Sequence, residues 1–389
     1  MFERALQPHL RASKRSLLLL GPRQVGKSTL LATLEPDLVV NLAHPATFRE
    51  YVTQPERLEH EVAALGPGPR TVLLDEVQRV PALLDLVQVL LDSKGRTTRF
   101  LLSGSSARKL RRGQANLLPG RIHLHHLHPL LACELGEGFD LHAQLDTLLA
   151  VGSLPGILSE TDPALRAADL RAYTDIYLRE EVQAEALVRD IGGYARLLDL
   201  VAAGSGTILN VHKLCQDAAI SYETARRYVQ ILEDTLLAFR VPAWSGSTRA
   251  RLIKHPRLYL FDLGVRNALL RRPLDRPLDD ERGLLLEHFV AHELHRRQGA
   301  LWPDLELFHF RHQSGTEVDF LVRSGTDLWA VEVKSSRTVR PSMLAGLRRA
   351  EEHLGTPCRK ILVFLGDRAQ HVDGVDVLPL REFLAELPS

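Results

Sequence analysis

The sequence predicts an α/β protein: a parallel, doubly wound sheet first, then a helical connector, then a second, smaller α/β part. Three observations carry this. Short apolar runs alternate with helical stretches through the first part of the chain. From about Ala143 the pattern becomes helical. After Asp279 one more helix gives way to runs of period two. A chain of 389 residues, at ~150 residues per domain, holds two or three cores. The pattern places the boundaries near 165 and 275, giving parts 1–165, 166–275 and 276–389.

Ser16–Leu20, Leu38–Leu42, Thr71–Leu74 and Arg99–Leu102 are compact apolar runs bounded by Gly, Pro or charge, and read as buried strands. Helices follow, such as Lys27–Leu34 and Ala82–Leu91. Ala143 to Leu200 is helical, interrupted by Gly152 and the turn Leu154-Pro155-Gly156. Asn210 to Phe239 is helical with a break near Ala219-Ile220-Ser221. Asn210 can cap the first of these helices, with Leu214, Cys215 and Ala218 at core spacing. Ser221 can cap the second, with Ala225, Val229 and Leu232 facing in. So short a turn between two helices is that of a helix-turn-helix. Arg282 to Gln298 is a further helix, and Glu317–Val322, Leu328–Lys334 and Lys360–Leu365 are strands. There is no internal repeat and no low-complexity segment.

Composition narrows the function classes. Hydrophobic residues make up 45% and charged residues 25%, which excludes a disordered or collagen-like chain. Lys and Arg number 49 against 48 Asp and Glu, a net charge of +1. Any nucleic-acid contact must therefore come from a local patch, not a global field. Cys133, Cys215 and Cys358 lie far apart with no paired spacing, so neither a zinc site of Cys pairs nor a disulfide framework is supported. Runs such as Leu17–Leu20 and Ile361–Leu365 are far short of the ~20 residues that span a bilayer. Met1 to Lys14 carries Glu3 and Arg4 and lacks the apolar core of a signal peptide. The expectation is a cytoplasmic, reduced protein with no membrane partner.

The sharpest signal is Gly21-Pro22-Arg23-Gln24-Val25-Gly26-Lys27-Ser28, followed by Thr29. It fits G-x-x-x-x-G-K-[ST], with a strand running into it and a helix leaving it, which is the geometry of a phosphate-binding loop. The glycines let backbone N–H groups turn toward phosphate, and the helix N-terminus adds partial positive charge. Lys27 would reach the β and γ phosphates of ATP, and the Ser28 hydroxyl would bind magnesium. Thr71-Val72-Leu73-Leu74-Asp75-Glu76 supplies the acidic strand end such a loop needs. Asp75 would hold the magnesium through water. Glu76 would polarise the attacking water, which favours hydrolysis over mere binding. Ser103, at the end of the next strand, can sense the γ phosphate, or simply end a strand in a polar turn. Arg121 is a candidate arginine finger, and equally a solvated arginine among forty-one. His123, His125, His126 and His128 interleave with Leu124 and Leu127 as in a strand, with no Cys or carboxylate cluster nearby, and read as ordinary strand residues rather than a metal site.

Residues 1 to about 135 resemble the AAA-type P-loop ATPases of bacteria and archaea that carry a C-terminal domain of uncertain function. The matching words are Gly-Pro-Arg-Gln-Val-Gly-Lys-Ser, Leu-Asp-Glu-Val-Gln-Arg-Val-Pro (74–81), Leu-Ser-Gly-Ser-Ser (102–106), Leu-Pro-Gly-Arg (118–121) and His128-Pro129-Leu130 ahead of Glu134. The resemblance extends over nearly the whole chain. It implies a P-loop NTPase parallel sheet, then a winged-helix-like segment, then a PD-(D/E)xK nuclease-like α/β domain. The second helix of the middle segment exposes Tyr222, Glu223, Arg226, Arg227 and Gln230. Arg226 and Arg227 can meet phosphates or base edges of DNA, but Glu223, Glu233 and Asp234 dilute the charge, and a purely structural coupling is equally open.

In the last part, Ser314–Val322 and Leu328–Lys334 flank the turn Ser324-Gly325-Thr326-Asp327. If Arg323 faces Leu328 across it, Asp319 falls opposite Glu332, and Glu317 opposite Lys334. Two opposed carboxylates repel, and a magnesium or manganese ion between them would remove that cost. Lys334 would then orient or activate the hydrolytic water. The other reading of the same hairpin is a surface Glu317–Lys334 ion pair. Asp319, Glu332 and Lys334 match the D…ExK pattern of the nuclease-like fold. Glu287 resembles the acid those folds often draw from the preceding helix. Whether such a site cuts is open, since these domains can keep the fold and lose the activity. The expectation is an ATP-hydrolysing machine acting on DNA, with room for a homo-oligomer. The rival is a nucleotide-controlled switch or scaffold with a non-cleaving nuclease fold. A small-molecule kinase is poorer, because no substrate lid or acceptor site is evident.

Overall fold

The computed structural model describes residues 2–93, 97–105, 120–136, 138–177, 190–245, 255–312 and 314–389. Ser106, Leu118 and Pro119 of the words above lie outside them. The chain forms two compact units. One is Glu3–His128 with Glu233–Leu236. The other is Met1–Phe2, Pro129–Leu232 and Leu237–Ser389.

In the first unit α1 (Leu6–Ala12) leads to β1 (Ser16–Leu20), α2 (Lys27–Ala32), β2 (Leu38–Asn41), α3 (Pro45–Thr53), α4 (Arg57–Ala64), β3 (Arg70–Asp75), α5 (Ala82–Asp92), β4 (Thr98–Gly104) and β5 (Ile122–His126). The five strands form one parallel sheet in the order β2-β3-β4-β1-β5. All five residues of β1 are buried, as a run of four leucines in an interior strand requires. Leu18, Leu20, Val72, Leu74, Phe100 and Leu102 pack with Leu83, Leu84, Val87 and Leu90 of α5. Each such side chain contributes about 1.5–3 kcal/mol on burial. The ladders reach past the apolar runs, to Asp75 on β3 and Gly104 on β4, because backbone pairing is indifferent to the side chain it carries. That extension brings Asp75 and Ser103 to the carboxyl edge, beside the loop that leaves Leu20.

The second unit opens with α6 (Leu141–Val151), α7 (Pro155–Ser159) and α8 (Pro163–Ala172). Then come α9 (Ile191–Ala203), α10 (Val211–Asp217) and α11 (Tyr222–Asp234), and the antiparallel pair β6 (Ala238–Val241) and β7 (Arg257–Leu260). Asn210 accepts from the N–H of Lys213 at 3.0 Å, and Ser221 from that of Thr224 at 3.2 Å, so both caps form. Ala225, Val229 and Leu232 are buried as the spacing requires. In α10 Leu214 and Cys215 are only half-buried, leaving Ala218 as the core residue there. The helix expected to run to Phe239 stops at Asp234. Leu236 turns left-handed (φ 60°), and the chain then enters β6.

α12 (Leu263–Leu269) and α13 (Arg282–His295) precede β8 (Leu305–Arg311), β9 (Glu317–Ser324), β10 (Asp327–Lys334), α14 (Ala345–Leu354), β11 (Arg359–Phe364), β12 (Gln370–Val372), β13 (Val375–Pro379) and α15 (Leu380–Ala385). These strands form a mixed sheet in the order β12-β13-β11-β10-β9-β8. Val331, Val333, Ile361 and Val363 face one core with Leu286 and Val290 of α13. Ala330, Leu328 and Leu362 face a second core with Leu347 and Ala350 of α14. Along β10 this division has period two, which fixes the face each residue shows while β10 pairs with β9 from Ser324 to Phe320.

Candidate functional site

The phosphate-loop word folds as a tight turn at the end of β1. Gly21 is required by proximity: a Cβ there would lie 2.3 Å from the Leu127 carbonyl oxygen. Pro22 and Val25 are buried, Arg23 is half-buried, and Gln24 is exposed in the left-handed region (φ 63°). Gly26, also left-handed (φ 89°), is the residue from which α2 starts. Lys27 is buried, and its ammonium donates to the carbonyls of Gly21 and Pro22, each at 2.9 Å. The Val25 carbonyl accepts from Arg4, which also reaches the carbonyl of His128. Sequence reasoning missed Arg4, which braces the loop from 21 residues upstream.

Ser28 donates to both oxygens of Asp75, at 2.9 and 2.7 Å, while the adjoining Thr29 is exposed. The Ser103 hydroxyl, fully buried, donates to Asp75 and accepts the Glu76 N–H at 2.9 Å. A hydroxyl against a carboxylate is the hard oxygen set that suits magnesium. So the structure brings Lys27, Ser28, Asp75, Glu76 and Ser103 together at one sheet edge. Arg121 does not join them. It sits just before Ile122, which pairs with Ser16, so it lies at the amino edge of the sheet, a strand's length from the loop. There it forms a two-pronged ion pair with Asp92 at 2.7 and 2.8 Å. The histidines lie on or just after β5, with burial lowering the pKa of His125 and His126.

The second unit carries a cluster of acids. The β9–β10 register runs from Ser324 opposite Asp327 to Phe320 opposite Val331, as the turn count expects. Asp319 lies just past the last pair, and its carboxylate accepts the Val333 N–H at 2.9 Å. Glu332 bonds the Lys334 ammonium through Oε1, while its buried Oε2 has no hydrogen-bond partner. The Glu317–Lys334 pair does not form: Glu317 pairs with Arg311 at 2.8 Å. Glu287 of α13 pairs with Arg257 of β7 at 2.5 Å and accepts from the Tyr259 hydroxyl at 3.1 Å. Burial and the neighbouring charge of Asp319 push Glu287 and Glu332 each up to about 7. Burial raises Asp319 against the pull of Lys334. Burial opposes the charge of Lys334, but Glu332 and Asp319 outweigh it and raise its pKa.

Beside this cluster lies a cavity of about 280 Å³ lined in part by Arg257, Glu287, His309, Arg311 and Glu317. Among the described residues, no group of three or more His, Cys, Asp or Glu converges as a metal site. Arg257 and Tyr259 escaped sequence reasoning, and nothing in the run His255-Pro256-Arg257-Leu258-Tyr259 announces a partner 30 residues on. On α11, Arg226 and Arg227 are both exposed, with the Arg227 guanidinium 5.6 Å from the Tyr228 ring centre.

Residues 13–136 match the family model described as an AAA domain. Residues 142–276 and 282–383 match two models, each described as a domain of unknown function (DUF8612 and DUF4143). Uncharacterised proteins of Mycobacterium bovis and Mycobacterium tuberculosis are each 28% identical to the chain over 339 residues, covering 86% of it and 73% of their own length. The chain thus carries an AAA domain of the P-loop ATPase kind ahead of two domains of unknown function. Among the described residues, no helix is long and apolar enough to cross a membrane.

Proposed function

We propose that this protein hydrolyses ATP and uses the turnover to act on DNA. The observation that carries the first half is the convergence of Lys27, Ser28, Asp75, Glu76 and Ser103 at the carboxyl edge of a parallel sheet. Lys27 would exchange its carbonyl partners for phosphate oxygens. Ser28 and Asp75 would hold magnesium, which neutralises charge on the transferring phosphoryl group. Glu76 would accept a proton from the attacking water.

The second half rests on the second unit. Three helices followed by a two-stranded antiparallel ribbon suit a winged helix, with Arg226 and Arg227 exposed for DNA phosphates. A helix, an antiparallel β8–β9–β10 meander, a helix and a parallel β11 suit the nuclease-like fold. Asp319 and Glu332 would hold the divalent cation there, and the unpaired Glu332 Oε2 supports that fit. A second reading, a switch or scaffold that does not cut, is favoured by one observation: the Arg257 guanidinium already neutralises Glu287.

One set of assays on the full chain, with magnesium or manganese and several DNA forms, tests all of this. Lys27→Ala is expected to abolish hydrolysis and weaken nucleotide binding; Glu76→Gln blocks hydrolysis and spares binding. Normal turnover in the Lys27 variant would sink the ATPase reading. Replacing both Arg226 and Arg227 by alanine should lower the log–log salt slope of DNA binding by ~0.9 per lost phosphate contact. Asp319→Ala or Glu332→Ala should end any cleavage while leaving ATP turnover intact. ATP turnover without cleavage under any condition selects the switch.

A further inference from the structure

Glu76 stands in the left-handed region at φ 59°. For a non-glycine residue that conformation is strained and persists only where its surroundings hold it. Three hydrogen bonds hold it, one of them from the Arg79 N–H to the Glu76 carbonyl at 3.0 Å. The Glu76 N–H donates to Ser103 Oγ at 2.9 Å, and its carboxylate Oε2 accepts from the side-chain amide of Gln78. The same Gln78 Nε2 also donates to Ser105 Oγ at 3.3 Å. One amide therefore spans the carboxylate at the end of β3 and the hydroxyl just past the end of β4.

The backbone around Gln78 is fixed. Val77 is fully buried, and Arg79 donates to the carbonyls of Leu42 and Ala43 at 2.7 and 2.9 Å. The amide's orientation is fixed by chemistry too, since the reverse flip would press Oε1 against the Glu76 carboxylate. On its other side, a Cβ added to Gly104 would come within 2.9 Å of Gln78 Oε1. A side chain at residue 104 would therefore displace the end of the glutamine.

We infer that Gln78 is the positioning residue of Glu76. It fixes one carboxylate oxygen so that the other faces the attacking water. In the step it serves, water oxygen bonds to the γ phosphorus and its proton passes to Glu76. The bond from phosphorus to the bridging oxygen breaks, and ADP departs with the electron pair. Gln78 neither touches the nucleotide nor exchanges a proton; it acts through Glu76. The inference rests on the ATPase reading above.

The test is Gln78→Met, which keeps length and packing but removes the amide. In the full chain, kcat for ATP is expected to fall by ~10- to 100-fold, the scale of a small misplacement of a reacting group. KM and ADP affinity should stay unchanged. Gln78→Glu should not rescue, since it offers no donor to Glu76. Gly104→Ala, which crowds the amide from the opposite side, should lower kcat in the same direction. In a Glu76→Gln background, Gln78→Met should cost nothing more, the non-additivity of residues acting as one unit. Wild-type kcat in Gln78→Met, or a full additive loss in the double variant, overturns the inference. Absence of hydrolysis by the wild type would instead overturn the ATPase reading.

Discussion

At the scale of single residues, charge and proximity decide what each position tolerates. Glu287 and Glu332 titrate near 7 instead of the ordinary 4.5. A raised carboxyl pKa means that the folded chain holds more protons than the unfolded chain between those values. Through these two acids folding stability should therefore fall as pH rises from about 4.5 to about 7, against the opposite trend set by His288 and His292, whose pKa burial lowers. Glu287→Gln and Glu332→Gln should each shift the slope of stability against pH in the positive direction. Urea midpoints across the window, in chelator, measure it, and an unchanged slope in both variants would show that neither acid is displaced from its ordinary range. The P-loop residues were legible in the sequence because eight consecutive positions fix their chemistry. Asp319 and Glu332 were legible because a short turn fixes the register of two contiguous strands. Arg257 was not, since its pairing with Glu287 depends on how two distant elements approach.

At the scale of elements, the junction of α6 with α12 shows what a glycine can do that no other residue can. A Cβ on Gly264 would lie 2.0 Å from the Val151 carbonyl oxygen, so α12 starts against the bare end of α6. Asn267 then donates to the carbonyls of Leu149 and Ala150, each at 2.9 Å, and supplies bonds that the end of α6 cannot make internally. The fully buried Asp262 caps α12 through the Val265 N–H and also accepts the Ser153 N–H. Because the clash is with backbone, Gly264→Ala should destabilise by about 1–3 kcal/mol or more. The readout is a lower urea midpoint at unchanged m-value; a wild-type midpoint would mean that the helices slide apart freely. Sequence reading could mark Gly152 as a break in a helical run, but not the partner that comes to rest there. Likewise β8 was not expected. Its hydrophobic residues fall on both faces of the sheet, so the alternation that reveals β9 is blurred.

At the scale of the whole molecule, the sequence pattern turns helical at Ala143, while the contacts pass from one unit to the other at Pro129. Periodicity reports the local element; membership of a core is a matter of what that element packs against. The phosphate loop, Asp75 and Glu76 lie within a single unit. A nucleotide at 100 times its Kd should therefore stabilise that unit by about 2.7 kcal/mol. Calorimetry with a non-hydrolysable ATP analogue measures the rise, and Lys27→Ala should remove most of it. A rise of equal size in that variant would place the nucleotide elsewhere.

The strand order sets a clock on synthesis. β1 lies between β4 and β5, so the run of leucines that leads into the phosphate loop has no neighbouring strand when it leaves the ribosome. Ser16 must wait for Phe100, 84 residues later, to complete its first bond to β4. At roughly 5–20 residues per second, that is a delay of about 4–17 s. During it, a strand destined for complete burial is exposed to chaperones and to other nascent chains. Rare codons between α2 and β4 would lengthen that exposure, whereas the same codons after β5 would leave it untouched.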